Sequence, residues 1–279
     1  MKRMSKLYLV GTPIGNLGDM SPRGLETLRE VDFIAAEDTR VSLKLLRHFG
    51  IQKPMLSYHE HNAREMGEKI VARILAGECC AVVTDAGMPC ISDPGEALVR
   101  LCAEHGIEIV VVPGPSAVVS AVALSGLATG RFSFEGFLSV QKGSRAKHLE
   151  SIREDCRTLV FYEAPHKLAA TLRDLYDALG DRKIALAREL TKLHEEVLRT
   201  TLAEAAVYYE ANKPRGEFVL VVEGAPPKEE AKVEFQQAVE MVRSLQRQGT
   251  AASQAAKEVA RETGHKKGEL YRAALEEDS

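Results

Sequence analysis

Three short loops hold the residue types most able to do chemistry. They are Val10-Gly-Thr-Pro-Ile-Gly-Asn16, Thr84-Asp-Ala-Gly-Met-Pro-Cys-Ile-Ser-Asp-Pro-Gly95 and Pro113-Gly-Pro-Ser-Ala117. Each follows an apolar run of strand type. Glycines there let the backbone approach a ligand and leave amides free to bind it. One such loop is an ordinary tight turn; three at strand ends of one parallel sheet mark a binding site. Ser116 reads either as a ligand contact or as the N-cap of the next helix. Asp85 reads either as a ligand carboxylate or as a turn cap.

The familiar motifs are absent. No Gly-Lys pair exists to form a phosphate loop, and Gly11, Gly15 and Gly18 have the wrong spacing for G-x-G-x-x-G. Gly114-Pro-Ser116-Ala is not a nucleophile elbow. His59 and His61 are only two apart, with no third ligand at a recognisable spacing, so no metal is expected. What remains is a ligand held by backbone and apolar contacts with one or two carboxylates.

The elements that must position these loops follow from hydrophobic pattern. Strands are expected at Lys6–Val10, Asp32–Ala36, Cys79–Thr84 and Ile107–Val112. Helices between them start at Ser21-Pro22 and span Ser42–Phe49, Asn62–Ala76 and Pro94–His105. That alternation predicts a mostly parallel sheet. Ser116–Leu127 reads as an apolar helix packed between halves. Strands then follow at Phe132–Phe137, Thr158–Tyr162, Lys183–Ala187, Val197–Thr201 and Phe218–Glu223. Helices are expected at Ser144–Glu154, Pro165–Leu179 and Leu202–Glu210. Two consecutive strands without a helix between them predict a mixed sheet. Gly224-Ala-Pro-Pro and Lys228–Glu230 read as a linker. Three helices, Val233–Arg247, Ala251–Thr263 and Lys267–Leu275, then fit a helix-turn-helix or a helical cap.

The expected class is therefore α/β. A parallel-sheet domain (1–115) is followed by a mixed-sheet domain (116–226) and a helical extension at 230–279. The 279 residues are 45% hydrophobic, enough for substantial cores. Five cysteines without a C-x-x-C pair argue against a disulfide framework. No apolar run nears the length of about 18 residues needed to span a membrane, and the N-terminus lacks a signal-peptide core. A cytoplasmic protein follows as the default. The net charge of −3 does not announce nucleic acid, so any RNA site must be a local basic patch. Lys142, Arg145 and Lys147 form the best candidate, with a solvated loop as the plain alternative.

The strings GTPIGN, AEDTR, DAGMPCISDPG, VPGPSA, FYEAPH and ARELT resemble those of the tetrapyrrole methylase superfamily over about residues 6–224. The closer resemblance is to its branch of 16S ribosomal RNA cytidine 2′-O-methyltransferases. That resemblance implies S-adenosylmethionine in the inter-domain cleft, a homodimer, and the small ribosomal subunit as substrate. It implies cofactor contacts from Pro13, Asp85, Gly87, Met88, Ile91, Ser116 and Ala117, and from Tyr162, Leu190, Glu217 and Phe218 across the cleft. A ribose hydroxyl is a poor nucleophile and gains from a positioned proton acceptor. Asp38 or Glu163 is expected to orient it, although Glu37 and Arg40 could instead form a structural ion pair. Arg40, His59 and Asn62 are expected near the acceptor nucleotide, with Lys142, Arg145 and Lys147 on phosphates. Two other readings compete: a methylase of a tetrapyrrole precursor, and a non-catalytic cofactor-sensing or RNA-binding module.

Overall fold

The computed structural model describes residues 5–227 and 233–276. Five strands, β1 (Lys6–Val10), β2 (Phe33–Ala36), β3 (Met55–Ser57), β4 (Cys80–Val83) and β5 (Glu108–Val112), form one sheet in the order β3-β2-β4-β1-β5. Every neighbouring pair is parallel. Helices α1 (Pro22–Glu30), α2 (Thr39–His48), α3 (Ala63–Leu75) and α4 (Glu96–Glu104) connect them. Parallel strands covered on both faces read as unbroken apolar runs, and β2 and β4 are buried throughout. Alternate residues supply two separate cores. Phe33, Ala35, Cys80 and Val82 pack with Tyr58, Ile70 and Ile74; Ile34, Ala36, Ala81 and Val83 pack with Leu28 and Leu46.

The second sheet contains β6 (Phe132–Phe137), β7 (Thr158–Glu163), β8 (Lys183–Arg188), β9 (Glu196–Thr201) and β10 (Phe218–Val222), ordered β6-β7-β10-β8-β9. β6 runs parallel to β7, and the other pairs are antiparallel, so the sheet is mixed as expected. α6 (Lys142–Ile152), α7 (Leu168–Leu179) and α8 (Leu202–Ala211) bury one face. The other face takes α5 (Ala117–Ser125) through Val118, Ala121 and Val122. The expected boundary at residues 115 and 116 falls between β5 and α5.

Both sheets belong to one compact unit, Met1–Ala225, and a second unit spans Pro226–Ser279. The second holds α9 (Phe235–Arg247), α10 (Ala252–Thr263) and α11 (Lys267–Leu275) around Ala238, Val242, Ala255, Val259 and Leu270. Gly264 ends α10 in the left-handed region, as a C-terminal glycine should. The linker expected at Lys228–Glu230 lies outside the described residues. Among the described residues no helix is long and apolar enough to cross a membrane.

Three details differ from expectation. β3 was not anticipated: three residues of an edge strand are too few to show a period. α2 begins at Thr39 rather than Ser42, because the Asp38 side chain accepts from the Arg40 amide and caps it. α6 begins at Lys142, so the basic segment is helix and not a loop.

Candidate active site

β4, β1 and β5 are neighbours, so the three glycine-rich loops converge at one sheet edge. Two backbone bonds join the first two loops, Thr12 N–H to Gly87 O at 2.9 Å and Gly87 N–H to Thr12 O at 3.1 Å. The buried Thr12 hydroxyl donates to Thr84 O at 3.1 Å. The first and third loops touch backbone to backbone. A Cβ on Gly11 would lie 2.7 Å from Gly114 Cα, and one on Gly114 would lie 2.8 Å from the Gly11 carbonyl carbon. Only glycine fits at either position.

These loops form one wall of a cleft of about 470 Å³, a volume suited to a nucleoside-sized ligand. The opposite wall is built from β7, β8 and β10 of the second sheet, with Tyr162, Leu190, Glu217 and Phe218. Four non-glycine residues of the described chain have positive φ, and all sit beside the cleft: Cys90 (72°), Ser92 (63°), Glu189 (52°) and Thr191 (63°). Each pair brackets one apolar residue, Ile91 on one wall and Leu190 on the other, and both line the cleft. Such backbone costs on the order of 1 kcal/mol or more per residue and persists where a side chain must be aimed.

The first wall is acidic. Glu37 Oε2 accepts from the Thr84 hydroxyl at 2.5 Å and the Asp85 amide at 3.3 Å. Asp85 Oδ1 accepts from the Asp38 amide at 3.2 Å. Burial, then the Glu37 charge, pushes the Asp85 carboxyl above its ordinary range. Burial and the same neighbour push Asp93 up to about 6. No cation is paired with Asp85 or Asp93 in the ion pairs of the described residues. At the start of α5 the Ser116 hydroxyl makes no cap bond, which leaves the first helix amides to other partners.

The second wall is more neutral. Lys192 Nζ bridges Glu189 Oε1 and Glu217 Oε2, both at 2.8 Å. Tyr162 packs edge-on to Phe134 and beside Phe137, with centroids 5.0 and 5.5 Å apart. Burial raises its hydroxyl pKa to about 12. Glu163 is 4% exposed; it accepts from the Ala164 amide at 2.8 Å and the Thr171 hydroxyl at 2.5 Å. Thr171 accepts in turn from Arg145 at 2.9 Å, and Arg145 donates to Asp174 at 2.6 Å.

Asp85, Gly87, Met88, Ile91, Ser116, Ala117, Tyr162, Glu163, Leu190, Glu217 and Phe218 all line the cleft. Pro13 does not, although its neighbour Ile14 does. Asp38 and Arg40 also lie outside the lining. They form a 2.6 Å ion pair, and the guanidinium holds Asp38 down at about 2. The pairing of Glu37 with Arg40 is therefore not formed, because Arg40 folds back on its own helix cap. Asp85 does not cap Ala86–Met88 but receives the Asp38 amide. Asn62 is consumed locally: it accepts from the His59 amide at 2.9 Å and donates to Ser57 O at 3.0 Å. Lys142 and Lys147 are exposed on α6, whereas Arg145 is occupied by Asp174 and Thr171. Sequence reasoning passed over Ile14, Asp93 and Phe137 in the lining; for Asp93, its place within the second loop was the available signal.

Comparison with known proteins agrees with this geometry. The Tetrapyrrole (Corrin/Porphyrin) Methylases family matches residues 6–206, and the RsmI C-terminal HTH domain matches residues 236–278. The ribosomal RNA small subunit methyltransferase I of Synechocystis sp. is 48% identical over 274 residues, 98% of each chain. That of Thermotoga maritima is 49% identical over 221 residues, 79% of this chain and 99% of the relative. Among solved structures, diphthine synthase superposes with a TM-score of 0.64 at 17% identity, covering 79% of this chain and 90% of that one. Uroporphyrin-III C-methyl transferase from Thermus thermophilus, complexed with S-adenyl homocysteine, gives 0.56 at 18% identity, covering 78% and 97%. At such identities these two share the fold. With its first 206 residues matched almost throughout and near-full-length relatives at almost half identity, the chain belongs to the tetrapyrrole (corrin/porphyrin) methylase family of methyltransferases.

Proposed function

We propose that the chain is an S-adenosylmethionine-dependent methyltransferase acting on the 2′-hydroxyl of a cytidine ribose in 16S ribosomal RNA of the small subunit. The observation that carries this reading is the 48% identity, over 98% of both chains, to a relative named ribosomal RNA small subunit methyltransferase I.

The cleft's residues fit the cofactor. Its ammonium and sulfonium are cationic, and Glu37 and Asp85 supply negative charge on the wall they share. The uncapped amides at Ser116 and Ala117 suit its carboxylate. Leu190, Phe218 and Val219 offer an apolar seat for adenine, with Glu217 and Tyr162 at its edges. Gly87 and Met88 shape the floor between them, and Ile91 closes the acidic side. When bound, the cofactor supplies the methyl group on a good leaving group. The chain's residues align acceptor and donor, which supplies much of the acceleration.

Arg40, which is largely exposed, with His59 and the exposed Lys142 and Lys147, would track RNA phosphates. Arg145 would act indirectly, through Thr171 and Glu163. The division into lobes 1–115 and 116–226 with a 230–279 extension, assembly as a homodimer and a cytoplasmic location belong to the same reading.

The test is transfer of labelled methyl from S-adenosylmethionine to small ribosomal subunits from cells lacking this chain, followed by nucleoside digestion. Label in 2′-O-methylcytidine supports the reading. Label absent from RNA but present on a uroporphyrin or corrin precursor favours the tetrapyrrole alternative. Cofactor binding without transfer to either leaves a non-catalytic module.

A further inference from the structure

Five carboxylates line the cleft: Glu37, Asp85, Asp93, Glu163 and Glu217. Four have partners that occupy them. Glu37 takes the Thr84 hydroxyl and the Asp85 amide. Asp85 takes the Asp38 amide. Glu163 has one donor on each oxygen, and Glu217 is paired with Lys192. Asp93 differs. The polar group within its hydrogen-bonding reach is the Thr84 hydroxyl. That hydroxyl has a single proton, already given to Glu37 at 2.5 Å. Among the described residues Asp93 is thus the lining carboxylate that no donor holds as its own, whereas each of the other four accepts from at least one.

Its placement is also specific. Ser92 just before it has a φ of 63°, and Gly95 just after it a φ of 140°. The Ser92 hydroxyl oxygen comes within 3.5 Å of where a Gly136 Cβ would stand, so this loop reaches the bulge in β6 on the opposite lobe. Asp93 and Tyr162 line the same cleft, and after burial the Asp93 charge helps raise the Tyr162 hydroxyl. Phe137, beside Tyr162, lines the cleft and is 57% exposed. Asp93 and Phe137 thus line the same cleft as the acidic residues Glu37 and Asp85.

We propose that Asp93 is the catalytic proton acceptor for the hydroxyl that is methylated. This rests on the methyltransferase reading above. The hydroxyl oxygen forms a bond to the methyl carbon as the carbon–sulfur bond breaks and its electron pair stays on sulfur. The hydroxyl proton passes to a carboxylate oxygen of Asp93, and no further reactant is needed. The surroundings favour it. Glu37 from the end of β2, Asp85 from the end of β4, Tyr162 on β7, Cys90 in the same loop and Glu96 on α4 face this region, and none carries positive charge. Burial first, then the Glu37 and Asp85 charges, hold its proton affinity up, near the pH at which it must work. Asp38, by contrast, is kept a weak base by Arg40.

The test compares full-length wild type with D93N and D93E. With aspartate carboxyls ¹³C-labelled, the wild type is expected to show one resonance titrating at about pH 6 that is missing in D93N. Affinities for S-adenosylmethionine and S-adenosylhomocysteine should stay within about three-fold of wild type, since the proposed role is proton transfer. Single-turnover transfer to small ribosomal subunits should fall by about 100-fold or more in D93N and lose its acid limb, while D93E retains a shifted limb. D93N within about five-fold of wild type with the limb intact overturns the proposal. So does a loss of cofactor affinity of about ten-fold or more in both variants, which makes Asp93 a binding residue. Wild type that transfers nothing to RNA overturns the substrate reading itself and takes this assignment with it.

Discussion

A single methyl group on Gly11 separates the loops that form the cleft. In Gly11→Ala the new Cβ lands 2.6 Å from Met88 Sδ, 2.7 Å from Gly114 Cα and 2.8 Å from Gly114 N. The methionine end can rotate away, but the Gly114 backbone cannot, because its loop follows β5 directly and the Gly11 amide is itself bonded to Val112 O at 3.1 Å. Ordinary contact begins near 3.4 Å, so the loops must part by roughly 0.7 Å. Overpacking of this kind costs about 1–3 kcal/mol. In a body of this size about 2 kcal/mol lowers Tm by roughly 4–8 °C. The same displacement moves Met88 and Ser116, so S-adenosylhomocysteine affinity should fall by about ten-fold or more. Gly143→Ala is the control: nothing lies within 4 Å of its Cβ, and it sits in α6. There the exchange should be neutral or stabilise by up to about 1 kcal/mol. Thermal melts and calorimetric titration of the three proteins decide the matter. Gly11→Ala with wild-type Tm and affinity would refute the packing argument.

Thr171→Val removes the hydroxyl between Glu163 and Arg145, leaving a buried carboxylate oxygen unpaired, and should lower the unfolding free energy by about 1–3 kcal/mol in denaturant titration. Arg40→Gln should return the Asp38 carboxyl from about 2 towards its ordinary value, read by NMR titration. Because the Asp38 pKa is depressed in the fold, its stabilising contribution is present above about pH 4 and lost as pH falls through about 2; the variant should lack that acid dependence. Thiol labelling should reach exposed Cys156 first and Cys90 slowly, with buried Cys79, Cys80 and Cys102 reacting only on unfolding. Burial raises the Cys80, Cys90 and Cys102 thiols, which lowers their thiolate fraction further. Ending the chain at Ala225, where the first compact unit ends, should leave S-adenosylhomocysteine binding unchanged while weakening RNA affinity.

Strand and helix positions were legible because local physics sets them. Buried parallel strands such as Cys80–Val83 announce themselves as apolar runs, and Ser21-Pro22 marks a helix start by capping chemistry that needs no tertiary partner. The three glycine loops were legible for the same reason, since glycine after a strand reports a backbone constraint at that position. Strand order was not in the pattern, because the order β3-β2-β4-β1-β5 depends on contacts between residues far apart in sequence. That order puts the loops after β4, β1 and β5 side by side. Charge roles were also decided by the tertiary structure. Nothing local says that Arg145 is drawn inward to Asp174 and Thr171, or that Asp93 lies among other acids without a cation. A side chain's basicity and availability follow from burial and from neighbours brought up by other segments. The sequence by itself determined which elements form and where a ligand could sit; packing decided the strand order and which charged side chains are held by partners from distant segments.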